Sequence, residues 1–261
     1  MHIDYIILLV LGDSELRDYV DGLASNLEQF AQPHNIDTKE TILHLLSKEG
    51  KLEILQSILQ DERMQQNIAE GLLVPDELKW TPIMAATIAV KDAENIVEMF
   101  IDHLDERLEK SEDLERLMSD SNLNNDTLFT LLMRNGIEGK IFEDFSSVRR
   151  RLFELLEKHS KKPLHFWFLE FVKQLLQSNS CDLTSRSMKE LIDLCSRIDV
   201  DFSKVMKEQD EENGNNILME LAKNMKDDAL REILTNAITT NNVSKSHLGF
   251  FSNSCVYLTC K

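Results

Sequence analysis

A helix with a marked beginning is the feature that most constrains how this chain folds. Thr81 and Pro82 precede a run of small and apolar residues. Threonine is a common N-cap residue, and proline is pre-set for the first position of a helix. A second segment with apolar residues at helical spacing, residues 96–101, follows after a short turn. The stretch therefore predicts a helix, a turn and a second helix.

The composition favours an all-helical protein. Among the 261 residues there are only 8 glycines and 4 prolines, whereas apolar residues make up 42%. So few glycines and prolines leave little room for the turns of a β architecture, and the abundant Leu, Glu, Lys, Met and Gln are good helix formers. We therefore expect a mainly α-helical chain with a sizeable apolar core.

The helical hairpin pattern recurs along the chain. In residues 41–59 its positions are Thr41, Leu43, His44, Gly50, Glu53, Ile54, Ile58 and Leu59. In residues 81–101 they are Thr81, Pro82, Ile83, Ala86, Ile96 and Val97. The pattern resembles the ankyrin repeat, which reads Asp-x-x-Gly-x-Thr-Pro-Leu-His-x-Ala and continues with Gly-x-x-Glu-Ile-Val and Leu-Leu. The chain departs from it where Ile42 stands for the proline and Met84 for the histidine.

Weaker copies of the same pattern follow. Aligned on the capping residue they start at positions 41, 81, 127, 162 and 216, and Asn135 and Gly136 fall at the expected turn of the third copy. Most steps exceed the family period of about 33 residues, and the excess falls in charged segments such as residues 105–120, which look like extra helix. The resemblance implies an α-solenoid of about five irregular ankyrin-like helix-turn-helix repeats. A solenoid of other helical hairpins is the alternative.

One repeat domain is expected over residues 1–261, with the repeats in residues 35–240. Each repeat leaves an apolar face that a neighbour has to cover. We therefore expect residues 1–34 to be an N-terminal cap, and residues 241–261 to be a C-terminal cap or a truncated repeat.

The sequence contains no recognisable catalytic pattern. It has no glycine-rich phosphate loop, no HExxH and no GxSxG motif. The resemblance implies that His44 and His165, at the family's histidine position, bridge backbone groups of neighbouring repeats. No CxxC pair is present, and no histidine lies at zinc-ligand spacing from a cysteine. We therefore expect a protein that is not an enzyme and that binds no cofactor or metal.

Charge and thiol content bear on partners and compartment. The formal charge of −17 argues against a nucleic-acid surface and favours a partner with a basic surface. The tight basic run 149–151 is interpreted as a solvated helix face. Residues 5–11 are apolar but too few to span a membrane. We expect a cytoplasmic monomer with reduced cysteines, or alternatively a protein secreted into a host cell.

Candidate partner-binding residues come from the resemblance, because ankyrin proteins bind through the hairpin tips before the capping threonine and through the concave face of the first helices. Carried over by position, they are Thr38, Glu40, Lys48, Glu49, Leu78, Trp80, Ile88, Asn124, Asp126, Arg134, Asn135, Asn213 and Asn215. Trp80 is the sharpest candidate, because tryptophan is enriched in interface hot spots. Packing of Trp80 against the next hairpin is the competing interpretation.

Two functions fit these expectations. The first is a non-catalytic protein–protein interaction module, acting as an adaptor, a scaffold or an inhibitor. The second is a secreted ankyrin-repeat effector of an intracellular bacterium or a virus, which docks onto a host protein.

Overall fold

A computed structural model of the protein describes residues 37–62, 65–107, 110–137, 145–177 and 214–223, with the isolated positions 15, 18, 33, 192, 193, 205 and 209. This part of the chain is mainly helical and contains no strand, which confirms the expected fold class at that level. The chain divides into two compact units, Met1–Ser160 and Lys161–Lys261. The expected caps at residues 1–34 and 241–261 lie almost wholly outside the described residues.

The first unit contains eight described helices. They are α1 (Ile42–Lys48), α2 (Leu52–Gln60), α3 (Gln65–Gly71), α4 (Pro82–Ala86), α5 (Ala93–Arg107), α6 (Ser111–Ser119), α7 (Leu128–Ile137) and α8 (Ser146–His159). The described helices of the second unit are α9 (Leu164–Gln177) and α10 (Ile217–Lys223).

Helix α4 begins where its sequence predicts. Thr81 is the N-cap, its hydroxyl accepts a hydrogen bond from the Met84 N–H at 3.4 Å, and Pro82 is the first helical residue. This satisfies one of the backbone donors that a helix N-terminus leaves without a partner inside the helix.

Helix α1 ends at the predicted glycine. Gly50 has a φ of +67°, its N–H donates to the Ser47 carbonyl at 3.1 Å, and the Lys51 N–H donates to the Leu46 carbonyl at 3.0 Å. These two bonds form the Schellman motif, which satisfies the last carbonyls of a helix. A Cβ at Gly50 would lie 2.5 Å from the carbonyl oxygen of Lys91, so this close approach requires glycine as much as the positive φ does.

Helices at equivalent places of successive hairpins pack side by side. Helix α1 packs on α2 and α4 packs on α5, while α1, α4 and α7 follow one another in one layer and α2, α5 and α8 in another. Helices α5 and α8 run parallel. Ser147 donates to Glu94 at 2.7 Å near their beginnings, and Lys158 donates to Asp105 at 2.9 Å near their ends.

A third helix lengthens the first two hairpins. Helix α3 follows α2 and packs on it, and α6 follows α5. The charged segment 105–120 is therefore helical over Ser111–Ser119, as its composition predicts. Leu114, Leu117 and Met118 are buried on one side of α6, so the added helix contributes to the core as well as to the surface.

The first helix of each of the first three hairpins is buried on all sides. Residues 42–47 of α1, 82–86 of α4 and 128–133 of α7 are all buried. These helices therefore offer no exposed face over those residues, contrary to the expectation of a concave helix surface. The hairpin tips and the turns carry the exposed positions instead.

Two local expectations for the third hairpin are corrected. Asn135 and Gly136 lie inside α7, which continues to Ile137, so the turn does not fall at these residues. Glycine inside a helix costs about 1 kcal/mol relative to alanine, which burial of the apolar residues of α7 can outweigh. Arg149 is buried at 7% exposure, and its guanidinium donates to the Leu132 carbonyl at 3.0 Å. The basic run is therefore not uniformly a solvated face.

In the second unit, α9 packs on α10. Trp167 and Phe168 are fully buried, whereas Phe166 is half-buried with the ammonium of Lys162 4.4 Å from its ring centroid. Three consecutive residues of a helix point in different directions, so one of the three aromatic side chains lies at the edge of the core. At the start of α10, Asn216 takes the capping position and accepts a hydrogen bond from the Met219 N–H at 3.1 Å.

Candidate interaction surface

The loop before α4, residues 76–80, is here called the second tip. Its shape is fixed by hydrogen bonds from backbone N–H groups to one side chain, an arrangement here called a bracket. One carboxylate oxygen of Asp76 accepts hydrogen bonds from the N–H groups of Leu78 and Trp80, both at 2.8 Å. The Asp76 N–H donates to the Trp80 carbonyl at 2.8 Å, and the Lys79 N–H donates to the Asp76 carbonyl at 3.0 Å. These four bonds hold every residue of the tip except Glu77.

The loop before α7, residues 122–126, repeats this arrangement and is called the third tip. The side-chain oxygen of Asn122 accepts from the N–H groups of Asn124 at 2.8 Å and Asp126 at 3.0 Å. The Asn122 N–H donates to the Asp126 carbonyl at 2.9 Å, and the Asn125 N–H donates to the Asn122 carbonyl at 3.0 Å. The two tips are therefore geometric copies, bond for bond.

Positive φ angles recur at the same place before helices α1, α4, α7 and α10. The residue three positions before the first helical residue is Lys39, Lys79, Asn125 or Gly214, with φ of 54°, 61°, 60° and 71° respectively. A left-handed conformation is favourable for glycine and strained for lysine. The repeat is therefore conserved in backbone geometry even where the residue type changes.

Successive tips are joined by backbone hydrogen bonds. The first tip comprises residues 37–40, and its Thr38 carbonyl accepts from the Glu77 N–H at 2.8 Å. The Leu78 carbonyl accepts from the Leu123 N–H at 3.1 Å. We call the contact between the first and second tips the first junction, and the contact between the second and third tips the second junction. In both, the acceptor lies three residues before its cap and the donor lies four residues before the next cap. Three tips thus form one continuous surface.

His44 ties the first hairpin to the second tip. The Thr41 N–H donates to its Nδ1 at 3.1 Å, and its Nε2 lies 2.9 Å from the Trp80 carbonyl. Because Nδ1 accepts a hydrogen bond, Nε2 carries the hydrogen and donates to that carbonyl. Burial lowers the pKa of His44 and outweighs the Trp80 carbonyl and the Asp76 carboxylate, which act to raise it. The imidazole is therefore neutral and structural, as expected for this residue.

Lys48 lies close to one acidic residue of the first tip and one of the second tip. Its ammonium pairs with Glu40 and lies 3.9 Å from the Asp76 carboxylate. Burial acts to raise the pKa of Glu40, but the hydrogen bond and charge of Lys48, helped by the Thr38 hydroxyl, lower it below its ordinary value. Glu40 and Lys48 thus stabilise each other, and neither is a freely exposed contact group.

The predicted binding residues separate by exposure. Leu78, Ile88 and Asn124 are exposed, whereas Thr38, Glu40, Lys48, Glu49, Trp80 and Asn215 are half-buried. Asp126 is 2% exposed, which corrects its place among the contact residues. Its backbone closes the Asn122 bracket, and this draws the residue inward. The side chains of Arg134 and Asn135, and Asn213 as a whole, lie outside what the structure describes.

Exposed residues that the candidates did not include are found in the tips and in the turn after α4. Leu123 is 60% exposed, Val90 is 80% exposed, and Lys79 is exposed beside Leu78. The signal that finds the tip residues is the Asp or Asn five positions before the capping threonine, because it fixes the whole loop. Alignment on the threonine alone does not reveal it.

The described residues contain no helix that is both long and apolar enough to cross a membrane. Within the same part of the chain, no three His, Cys, Asp or Glu side chains are grouped as metal ligands would be. Comparison with protein-family models, with curated proteins and with solved structures gives no match to this chain.

Proposed function

We propose that the described part of residues 37–159 is a stack of ankyrin-like repeats that binds a partner protein and catalyses no reaction. Three features support the repeat assignment: the Asp or Asn five positions before the cap, the positive φ two positions before it, and the histidine of the first hairpin bonded across to the next tip. They coincide with the Asp, Gly and His positions of the ankyrin pattern. Stacked repeats of this kind offer one extended binding face.

The observation that carries the proposed function is the contrast between tips and helices. The first helices are buried on all sides, while Leu78 and Leu123 are 54% and 60% exposed on loops whose backbones are held by side-chain brackets. A large apolar side chain on a rigid loop loses little conformational entropy on binding. We infer that the tips, rather than the helix faces, contact the partner.

Trp80 has a mixed role in this proposal. Its backbone is held on both sides, because its N–H donates to Asp76 and its carbonyl accepts from His44. Its side chain is half-buried. We assign the central contact to Leu78 and Leu123, and Trp80 to the edge of the same surface.

The test is affinity capture from a lysate of the cells in which the protein naturally acts, followed by mass spectrometry. The full chain is compared with the double variant Leu78→Ser/Leu123→Ser and with the control Val90→Ser, which alters an exposed apolar residue outside the tips. We expect the wild type and the control to capture the same partner proteins and the double variant to lose them. Circular dichroism should show that the double variant is still folded. Identical capture by all three proteins contradicts the assignment to the tips.

A further inference from the structure

The two junctions between tips have the same backbone geometry but differ in their side chains. At the first junction, the ammonium of Lys39 lies 2.6 Å from the carboxylate of Glu77. Lys39 and Lys79 hold the same position in successive tips, two residues before the cap, and both have positive φ. Glu77 and Leu123 likewise hold the same position, four residues before the cap. The second junction therefore places a leucine where the first has the carboxylate.

The consequence is a lysine without its partner. Lys79 is exposed, and no carboxylate in the described part of the chain pairs with its ammonium. The chain as a whole has a formal charge of −17. Lys79 also takes a strained φ of 61° that glycine would take freely. No hydrogen bond or ion pair within the described residues accounts for its side chain.

Two apolar side chains lie beside this lysine. The Leu123 N–H donates to the Leu78 carbonyl at 3.1 Å, which fixes the two residues next to each other, and both side chains are more than half exposed. The second junction thus combines two exposed leucines with an exposed unpaired ammonium on rigid loops. Within the same protein, the first junction shows what fits that ammonium position, namely a carboxylate.

We propose that the second junction, formed by Leu78, Lys79 and Leu123, binds a short segment of a partner protein that carries an acidic residue next to apolar ones. The partner carboxylate pairs with Lys79 as Glu77 pairs with Lys39, and its apolar side chains cover the two leucines. Because the whole chain is strongly acidic, long-range repulsion confines the negative charge of the partner to that short segment. This inference rests on the proposed function and names the chemistry of the partner at the tips.

The geometric premise is tested first, without any partner. Leu123→Glu recreates at the second junction the ion pair of the first, and Leu123→Gln is its uncharged control. We expect the Glu variant to melt above the Gln variant at low salt and the difference to vanish in about 1 M NaCl, because exposed ion pairs are screened. Equal melting temperatures at low salt would show that position 123 does not face Lys79, and would overturn the proposal.

Binding is tested with two phage-displayed peptide libraries that share the same randomised apolar positions. One library carries Asp or Glu at its centre and the other carries Lys or Arg. We expect the full wild-type chain to enrich the acidic library. Leu123→Glu should weaken the selected peptides by about tenfold, since it removes an apolar contact and occupies Lys79.

Two lysine variants complete the binding test. Lys79→Glu should shift enrichment toward the basic library, whereas Lys110→Glu, which makes the same charge change at an exposed lysine outside the tips, should leave enrichment unchanged. Equal enrichment of both libraries, no enrichment of either, or acidic peptides indifferent to Lys79→Glu would each overturn the inference. Peptides lost in Leu78→Ser/Leu123→Ser but indifferent to the charge at position 79 would overturn it while leaving the proposed function intact.

Discussion

His44 shows how one buried side chain couples neighbouring parts of the chain. Its Nδ1 accepts a hydrogen bond from the Thr41 N–H and its Nε2 donates one to the Trp80 carbonyl. These two bonds require a neutral imidazole with its hydrogen on Nε2. A proton on Nδ1 would face the Thr41 N–H and break that bond. The charged form is therefore disfavoured both by burial and by geometry.

This predicts a loss of stability on mild acidification. The folded pKa of His44 lies below the ordinary value of 6.5, so the unfolded chain takes up the proton first. The stabilisation is complete above pH 6.5 and is lost as the pH falls from there through the folded pKa. Urea unfolding between pH 7.5 and pH 5 measures this loss.

The matched variant for this prediction is His44→Gln, which cannot titrate in that range. We expect it to be less stable at pH 7.5 and to show a flatter pH dependence above pH 5. Glu40 acts separately: its lowered pKa contributes stability that is lost only below the ordinary value of 4.5. A pH dependence identical in wild type and His44→Gln would contradict the role of His44.

Gly50 and Gly214 allow backbone strain to be separated from steric contact. Both have positive φ, but a Cβ at Gly50 meets the Lys91 carbonyl oxygen at 2.5 Å whereas a Cβ at Gly214 meets nothing within 4 Å. We expect Gly214→Ala to cost about 1 kcal/mol, from φ strain alone. Gly50→Ala should cost clearly more, because α1 and the turn before α5 must move apart. Denaturant unfolding measures the loss of stability in each variant. Equal losses in the two variants would contradict this prediction.

At the scale of elements, comparison of two equivalent side-chain pairs explains why the amide nitrogen of Asn122 lacks a partner among the described residues. Lys48 and Ile88 hold the same position, seven residues after the cap, and Asp76 and Asn122 hold the same position in the bracket. Lys48 approaches Asp76 at 3.9 Å, whereas Asn122 is buried and its Nδ2 has no hydrogen-bond partner in the described part of the chain. Where Ile88 replaces the lysine, the neutral Asn122 thus replaces the aspartate.

This pairing predicts coupled mutations. Asn122→Asp alone should destabilise the protein by about 2 kcal/mol, because it buries a carboxylate at a position whose equivalent of Lys48 is the apolar Ile88. Ile88→Lys alone should change stability little, because Ile88 is 49% exposed. The double variant should recover most of the loss. A double-mutant cycle by urea unfolding measures the coupling, and purely additive effects would disprove the equivalence of the two pairs.

For the whole molecule, the net charge dominates. The charges that make up a formal charge of −17 repel one another in the folded chain, and added salt screens that repulsion. We expect the melting temperature at pH 7 to rise by about 2–4 °C between ~0.02 M and ~0.3 M NaCl. Repeating the series with KCl excludes an effect specific to sodium. A fall in melting temperature would mean that the ion pairs seen between α5 and α8 outweigh the overall repulsion.

Local chemistry along the chain predicts the elements but not the surface they leave exposed. The cap at Thr81 and Pro82, the stop at Gly50 and the extra helix near residue 115 follow from interactions within a few residues. Asn135 and Gly136 mislead because they are turn formers that lie inside α7, where packing outweighs their weak preferences. The burial of Arg149 and of Asp126 depends on partners from another segment or on loop geometry, and residue type alone predicts exposure for both.

The sequence by itself determined the helical class, the cap at Thr81 and Pro82 and the end of α1 at Gly50, because capping and periodicity act over a turn or two of helix. The structural role of His44 came from the resemblance, since its partner Trp80 lies far along the chain. Only the tertiary structure decided that the first helices are buried on every side and that the tips form one bonded surface. It alone set Leu123 beside Leu78 and left Lys79 without a carboxylate partner among the described residues. That contact joins residues far apart in the chain, and its register depends on how whole hairpins stack rather than on any short stretch.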